Sequence, residues 1–153
     1  MTIYRERLWP APWLFISTAL VIPASLLVFL PIDTTTGVVV AIVLYATCVV
    51  ALLMAAPVVA VTTTEVRAGR ARLPLTVVGS VEAHRGDEAR LERGQRLDAR
   101  AWLLIRGWVS PVLKIEVLDK TDPTPYWLVS TRAPDAVIEA IARARQSPLS
   151  ERA

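Results

Sequence analysis

The side chains that most often carry out catalysis are sparse in this chain. His84 is its only histidine, at the end of a predicted strand, and no serine-centred turn motif accompanies it to form a nucleophile–base pair. Asp98, Asp119 and Asp122 are hard-cation ligands by type, but their spacing lacks the dense alternation of acids in a calcium loop. Turn and capping roles account for these aspartates. We therefore expect no enzymatic activity, no cofactor and no metal site.

Arginines provide the clearest binding chemistry. Arg67, Arg70 and Arg72 form the only local basic cluster, a few residues after a long apolar stretch. Each basic group near an anionic membrane surface contributes about 1 kcal/mol, so recognition of lipid headgroups is one hypothesis for this cluster. The alternative is that it only fixes membrane topology. Arg106 and Arg132, at the ends of predicted strands, would extend a basic pocket if the fold brings them to Arg70.

Large aromatic side chains are candidate anchors for a protein partner. Trp102 and Trp127 lie in predicted strands, where aromatic residues usually face the core. Trp108 follows the end of a predicted strand, and it is the tryptophan that we most expect to be partly exposed.

The charge balance argues against nucleic acid as a partner. The chain carries 17 basic and 14 acidic side chains, for a net charge of +3 at pH 7. Acidic and basic residues alternate beyond residue 62, whereas a nucleic-acid-binding surface concentrates its Lys and Arg. We expect membrane lipids, and another membrane protein or an envelope complex, as partners instead.

Two uncharged apolar stretches, 13–30 and 37–61, occupy most of the first 61 residues. At about 1.5 Å per residue they would be roughly 27 and 38 Å long as helices, against a hydrocarbon core of roughly 30 Å. A cleaved signal peptide fits the first stretch poorly, because no small-residue cleavage site follows it. Buried helices of a soluble protein would need more polar surface around them than the chain supplies. The sequence predicts a transmembrane hairpin over residues 1–61.

The distribution of charge also orients the hairpin. Arg5 and Arg7 precede the first stretch, the basic cluster follows the second, and the segment 31–36 between them carries only Asp33. The positive-inside rule then predicts a protein of the inner (plasma) membrane with two spans and both termini in the cytoplasm. Neither stretch contains Asp, Glu, Lys, Arg or His, which argues against ion transport. Cys48, the only cysteine, has no partner for a disulfide within the chain.

The rest of the chain predicts a cytoplasmic β domain over residues 62–146. Alternating segments bounded by turn residues predict six strands, at 58–67, 70–75, 77–84, 101–106, 112–119 and 126–131. The segment 87–93 predicts a short exposed helix that ends at Gly94. A final amphipathic helix begins at Pro134 and precedes a flexible tail over 147–153; its apolar stripe consists of Val137, Ile138, Ile141 and Ala142.

Antiparallel strands followed by one C-terminal helix resemble the pleckstrin-homology-like (PH-like) architecture. Three motifs, YRERLW at 4–9, RAGRARLPL at 67–75 and DPTPYWLVSTR at 122–132, resemble the actinobacterial membrane family catalogued as domain of unknown function 3093. The resemblance implies an α+β membrane protein: an N-terminal two-helix transmembrane hairpin, then a small antiparallel PH-like domain with a C-terminal helix. It implies no activity, ligand or catalytic residue.

Three hypotheses for the function follow. In the first, the PH-like domain binds another membrane protein through a sheet edge or through the groove beside its last helix. In the second, the basic cluster recognises anionic headgroups. In the third, the chain is a permanent subunit of an envelope complex. We expect the first, a non-enzymatic interaction at the membrane face, with headgroup recognition as the alternative.

Overall fold

The computed structural model describes residues 1–29 and 31–150, the last four of these by their backbone. The chain forms two compact units. The helical unit is Trp9–Ala56, and the β unit combines Met1–Leu8 with the chain from Pro57 onward. The sequence interpretation placed the boundary at residues 61 and 62, with everything before it in the hairpin. The structure instead gives the β unit a segment from each side of the helices.

The helical unit contains α1 (Pro12–Thr18), α2 (Val21–Phe29) and α3 (Thr34–Met54). The stretch from Pro12 to Phe29 has 18 residues and α3 has 21, and both are long and apolar enough to cross a membrane. Only 6% and 11% of these residues are buried within the protein, and large apolar side chains such as Leu27 are more than three quarters exposed. Two mainly exposed apolar helices near the N-terminus are compatible with a two-span membrane protein.

The helix α3 is shorter than the apolar stretch that predicts it. It begins directly after Asp33, whose carboxylate accepts a hydrogen bond from the backbone N–H of Thr36 at 2.7 Å, a standard N-cap. It ends at Met54 rather than at Val61. Pro57 lacks a backbone donor, and the β-branched residues that follow it favour a strand. The first predicted stretch ends at Leu30, which lies outside the described residues.

The β unit contains two four-stranded sheets. The first sheet has the order β1 (Thr2–Arg7), β2 (Val58–Thr62), β3 (Glu65–Ala68) and β4 (Ala71–Pro74), with all neighbours antiparallel. The second sheet has the order β5-β7-β8-β6. Its strands are β5 (Val78–His84), β6 (Trp102–Leu104), β7 (Val112–Val117) and β8 (Tyr126–Ser130). A short α4 (Gly86–Arg93) ends at Gly94 as predicted, but it is not wholly exposed, since Ala89 and Glu92 are buried.

The described residues thus form eight strands where the sequence analysis expected six. β1 was missed because its partner lies beyond the helices, and the predicted strand 58–67 is a hairpin of β2 and β3. The hydroxyl of Thr62 accepts from the N–H of Glu65 at 3.1 Å and turns the chain there. The expectation of a purely antiparallel domain was wrong for β6, which pairs with β8 in parallel. The two run in the same direction because β7, on the other side of β8, carries the chain back.

The helix α5 (Pro134–Ser150) packs on the inner faces of both sheets. Its buried stripe includes Val137 and Ile141, as predicted, but uses Ala140 and Ala144 in place of the exposed Ala142. The predicted tail over 147–153 starts with four residues that continue this helix, and 151–153 lie outside the described residues. The shared core is formed by Leu8, Val59, Val61, Val66, Leu73, Leu113, Ile115, Val129, Val137 and Ile141.

We predict that Ile141→Asp destabilises the protein by about 3–5 kcal/mol, because Ile141 is 2% exposed and the substitution buries an unpaired carboxylate in place of a packed side chain. The free energy of unfolding of the full chain in mild detergent, followed by tryptophan fluorescence, measures this. The matched control is Ala142→Asp, one position further along α5 and exposed, which should change stability by less than about 0.5 kcal/mol. Equal effects of the two substitutions would contradict the observed packing of α5.

Candidate anion-binding face

The register of the first sheet aligns three arginines across four strands. Arg5 of β1 lies opposite Ala60 of β2, Ala60 lies opposite Arg67 of β3, and Arg67 lies opposite Arg72 of β4. Directly opposite residues in antiparallel strands point to the same side of the sheet. We call these four residues the arginine row and their side of the sheet the arginine face. This face is turned away from the core, since Val59 and Val61, the neighbours of Ala60, are buried on the other side.

Alternation along β1 explains why Arg5 lies on this face. Tyr4 and Glu6 lie opposite the buried residues Val61 and Val59, so the residue between them must point outward. A bulge between Thr2 and Tyr4 shifts the register by one residue, which brings Thr2 to the outer side as well. The outer side of β1 is therefore polar and basic, and its inner side contributes to the core.

A shallow depression of about 300 Å³ lies within the arginine face. Its lining on the middle strand, β2, consists of Val58, Ala60 and Thr62, of which Ala60 is only 7% exposed. Gly69 lines one end, in the turn between β3 and β4, where its φ of +61° is a conformation that favours glycine. The complete lining is Thr2, Arg5, Val58, Ala60, Thr62, Arg67 and Gly69.

The two arginines of the depression differ in their contacts. Glu65, two residues before Arg67 on the same face, accepts a hydrogen bond from its Nε. This pair leaves the terminal Nη groups of Arg67 without a described partner, and 45% of the Arg67 side chain is exposed. The side chain of Arg5 makes no hydrogen bond or ion pair with any residue that the structure describes. With Arg72, the row carries three positive charges against the single carboxylate of Glu65, so its net charge is positive.

The structure brings together only part of the predicted site. Arg67 and Arg72 share the arginine face, and Arg70 is exposed in the turn that joins their strands. Arg106 and Trp108 follow β6, where the guanidinium of Arg106 lies 5.9 Å from the centre of the Trp108 ring. Neither these two residues nor Arg132 lines the depression.

Trp108, Arg132 and the inner side of β1 form a structural cluster instead. The indole Nε1 of Trp108 donates to the carbonyl of Leu8 at 3.3 Å, so this tryptophan is half-buried and helps to hold the end of β1. Glu6 accepts from the hydroxyl of Thr131 at 2.6 Å and from the backbone N–H of Arg132 at 3.0 Å. Burial and the nearby Glu6 carboxylate raise the pKa of Tyr4. These contacts attach β1 to the segment between β8 and α5, and thereby position Arg5.

A second charged cluster lies on the second sheet beside α4. The carboxylate of Glu92 is 5% exposed and lies 2.8 Å from the ammonium of Lys114, which in turn lies 4.5 Å from the centre of the Tyr126 ring. Burial opposes ionisation of Glu92, but the hydrogen bond and charge of Lys114 outweigh it and hold the pKa of Glu92 below its ordinary value. The same hydrogen bond raises the pKa of Lys114. The charges of this cluster satisfy one another, so it fastens α4 to the sheet.

His84 lies at the end of β5, as predicted, with its Nε2 3.5 Å from the carboxylate of Glu82. Among the described residues, no group of three or more His, Cys, Asp or Glu side chains is placed to hold a metal ion. Arg5 was not predicted as a site residue, and in the sequence its charge served only to orient the hairpin. The signal was present in the alternation of Tyr4, Arg5, Glu6 and Arg7, which has the period of a strand.

These features define a class: a small α+β unit with a basic sheet face, interrupted in sequence by an apolar helical hairpin. The family described as a protein of unknown function, DUF3093, matches residues 3–141, and the chain belongs to this family. The match runs from β1 into α5 and so includes all four residues of the arginine row. Neither a curated protein nor a solved structure matches the chain significantly.

Proposed function

We propose that the helical unit crosses the inner (plasma) membrane twice and that the β unit lies at its cytoplasmic surface. The 18 and 21 residues of the two apolar segments correspond to roughly 27 and 32 Å of helix, close to a hydrocarbon core of roughly 30 Å. Burial does not account for their apolar side chains, since few of them lie inside the protein. Lipid would cover this surface.

The β1 strand argues against a cleaved signal sequence. Cleavage after the first apolar segment would remove Thr2–Arg7, an edge strand of the first sheet whose Glu6 is bonded to Thr131. It would also remove the bond from the N–H of Leu8 to the carbonyl of Pro57 at 2.9 Å. The β unit is complete only while the segment before the helices remains attached.

The orientation rests on the positive-inside rule. Arginines precede the first apolar segment and follow the second, whereas residues 31–36 between the segments contain no Lys or Arg. Both termini and the β unit are then cytoplasmic. The β unit supports a PH-like architecture in outline, with two four-stranded sheets and a C-terminal helix packed against both. The segment that contains α4 and β6 departs from a simple antiparallel arrangement, because β6 pairs with β8 in parallel.

Binding of anionic lipid headgroups is the function that the geometry supports best, and the arginine row is the observation that carries it. Arg5 lies shortly before α1, and Arg67 and Arg72 lie shortly after α3, so the row flanks both apolar segments in the sequence. At about 1 kcal/mol for each basic group, three arginines would add appreciably to membrane contact.

Contact with a protein partner is the second candidate, and the open edge of the second sheet favours it. β6 is the last strand in the order and pairs with β8 alone, so no strand of the described residues lies beside its outer edge. Leu103, in the middle of β6, is 42% exposed. An extended segment of another membrane protein, or of an envelope complex, would add to this edge by backbone hydrogen bonds. Neither function requires a catalytic residue, and we propose a non-enzymatic role.

The topology predicts the behaviour of reporters fused to the chain. A fluorescent reporter that matures only in the cytoplasm should be active after Ala153 and inactive when inserted between Ile32 and Asp33. A phosphatase that functions only after export should give the reverse pattern at the same two sites. Export of the C-terminal fusion would overturn the proposed orientation.

Headgroup binding predicts the lipids that remain with the purified protein. We expect the full chain, extracted from native membranes in mild detergent, to retain anionic lipid above its share of the membrane. The triple variant Arg5→Gln, Arg67→Gln, Arg72→Gln should lose most of this enrichment, because it removes the positive row. Mass spectrometry of lipids and proteins in the same sample measures both candidate functions.

The matched control removes the same number of charges elsewhere. Arg85→Gln, Arg90→Gln, Arg143→Gln changes three exposed arginines outside the arginine row and should leave the enrichment intact. Equal lipid retention by wild type and both variants would end the headgroup proposal. A stoichiometric protein that is retained by all three forms would then favour the partner at the β6 edge.

A further inference from the structure

The arginine face contains a depression, although nonspecific attraction to an anionic surface would not require one. Arg5 and Arg67 stand on β1 and β3, on either side of Ala60 in β2. Strands in a sheet are about 4.8 Å apart, so the backbones of these arginines are separated by roughly 10 Å. The depression between them measures about 300 Å³, and the middle strand contributes no charged side chain to its lining.

The contacts of the lining residues limit which of them can bind a ligand. Glu65 engages the Nε of Arg67, which holds the side chain in place and leaves its Nη donors for another acceptor. The guanidinium donors of Arg5 have no partner among the described residues. The hydroxyl of Thr62 is already bonded to the backbone of Glu65, whereas the hydroxyl of Thr2, directly across from it, has no described partner. The depression therefore presents two guanidinium groups and one hydroxyl.

This donor set matches the chemistry of a terminal phosphate. Guanidinium groups bind phosphate oxygens through paired, charge-assisted hydrogen bonds, and each guanidinium carries one positive charge. A phosphate monoester carries three terminal oxygens and a charge of about −1.5 to −2 at neutral pH. A phosphodiester offers only two such oxygens and a single charge. The site thus suits the monoester better than the diester.

We propose that the depression between Arg5 and Arg67 is a discrete site for one phosphate monoester group, the terminal phosphate of a phosphatidate-type lipid headgroup. The inference rests on the proposed headgroup-binding function and narrows it to one ligand class. Arg72 belongs to the row but does not line the depression, so it contributes charge without contacting the phosphate. This difference separates a built site from diffuse attraction.

The test compares phosphatidic acid with phosphatidylglycerol, both short-chain, in titrations of the full-length protein in neutral detergent by native mass spectrometry. We expect wild type to prefer the monoester lipid about tenfold, which corresponds to one charged hydrogen bond. Arg67→Gln should abolish the preference. Arg72→Gln removes the same charge from the next strand and should preserve it.

Two further variants separate the shape of the site from its charge. Ala60→Phe fills the depression and leaves every arginine in place, and an aromatic residue is favourable in a strand. The double variant Arg5→Lys, Arg67→Lys keeps the charge and loses the paired donors, with little change to the sheet. Both should bind the two lipids equally. The double variant tests the site even if Ala60→Phe fails to fold, which its thermal unfolding would reveal.

Each pattern of results has one meaning. If Arg67→Gln and Arg72→Gln weaken the binding of both lipids equally, the discrete site is wrong while headgroup binding by the row stands. The same holds if wild type binds the two lipids equally and the two substitutions weaken that binding. If neither substitution affects either lipid, both proposals fall. A parallel titration with inorganic phosphate distinguishes a lipid phosphate from a soluble one. If inorganic phosphate displaces phosphatidic acid at an equal concentration, the site binds a soluble phosphate. If it does not, the site binds the lipid.

Discussion

The pairing of β1 with β2 is the interaction on which the rest of the structure depends. It joins Thr2–Arg7 to Val58–Thr62 across the whole helical unit. The entropy cost of closing such a loop rises only slowly with its length, and the helices further reduce the freedom of the intervening chain. The bond between Leu8 and Pro57 closes the base of the pair, and Glu6 anchors β1 to Thr131. Without this pairing Arg5 would not lie beside Ala60, and the basic cluster after the helices would have no counterpart before them.

The same pairing gives the first sheet two chemically opposite faces. Val59 and Val61 enter the core beneath α5, while Ala60 between them lines the depression in the arginine face. A slip of one residue would exchange the two faces and bury the arginines, so the hydrophobic pattern fixes the register strongly. The bulge after Thr2 adjusts the end of β1 without disturbing the alignment of Arg5. Core packing and the position of the candidate site therefore both follow from the register of β1 on β2.

Local patterns in the sequence predicted most of the helices and strands but not the pairing of β1 with β2. Hydropathy located both apolar segments, and periodicity located α4, α5 and the three long strands of the second sheet. The end of α3 was misplaced because valine-rich sequence is equally apolar in a helix and in a strand, although Pro57 marked the change. Arg67 and Arg72 were found because they are close in sequence. Arg5 was not, since its place in the site comes from a strand partner more than 50 residues away.

Engineered disulfides between β1 and β2 test the register of this strand pair most directly. In a Cys48→Ala background, cysteines at positions 5 and 60 replace directly opposite residues, whose Cα atoms are about 4.5–5.5 Å apart in an antiparallel pair. That distance suits a disulfide. Cysteines at 5 and 59 point to opposite faces of the sheet. We expect rapid oxidative cross-linking of cysteines at 5 and 60 in the purified full chain, and little cross-linking of cysteines at 5 and 59. Equal cross-linking of both pairs, or of neither, would contradict the register on which the arginine face rests.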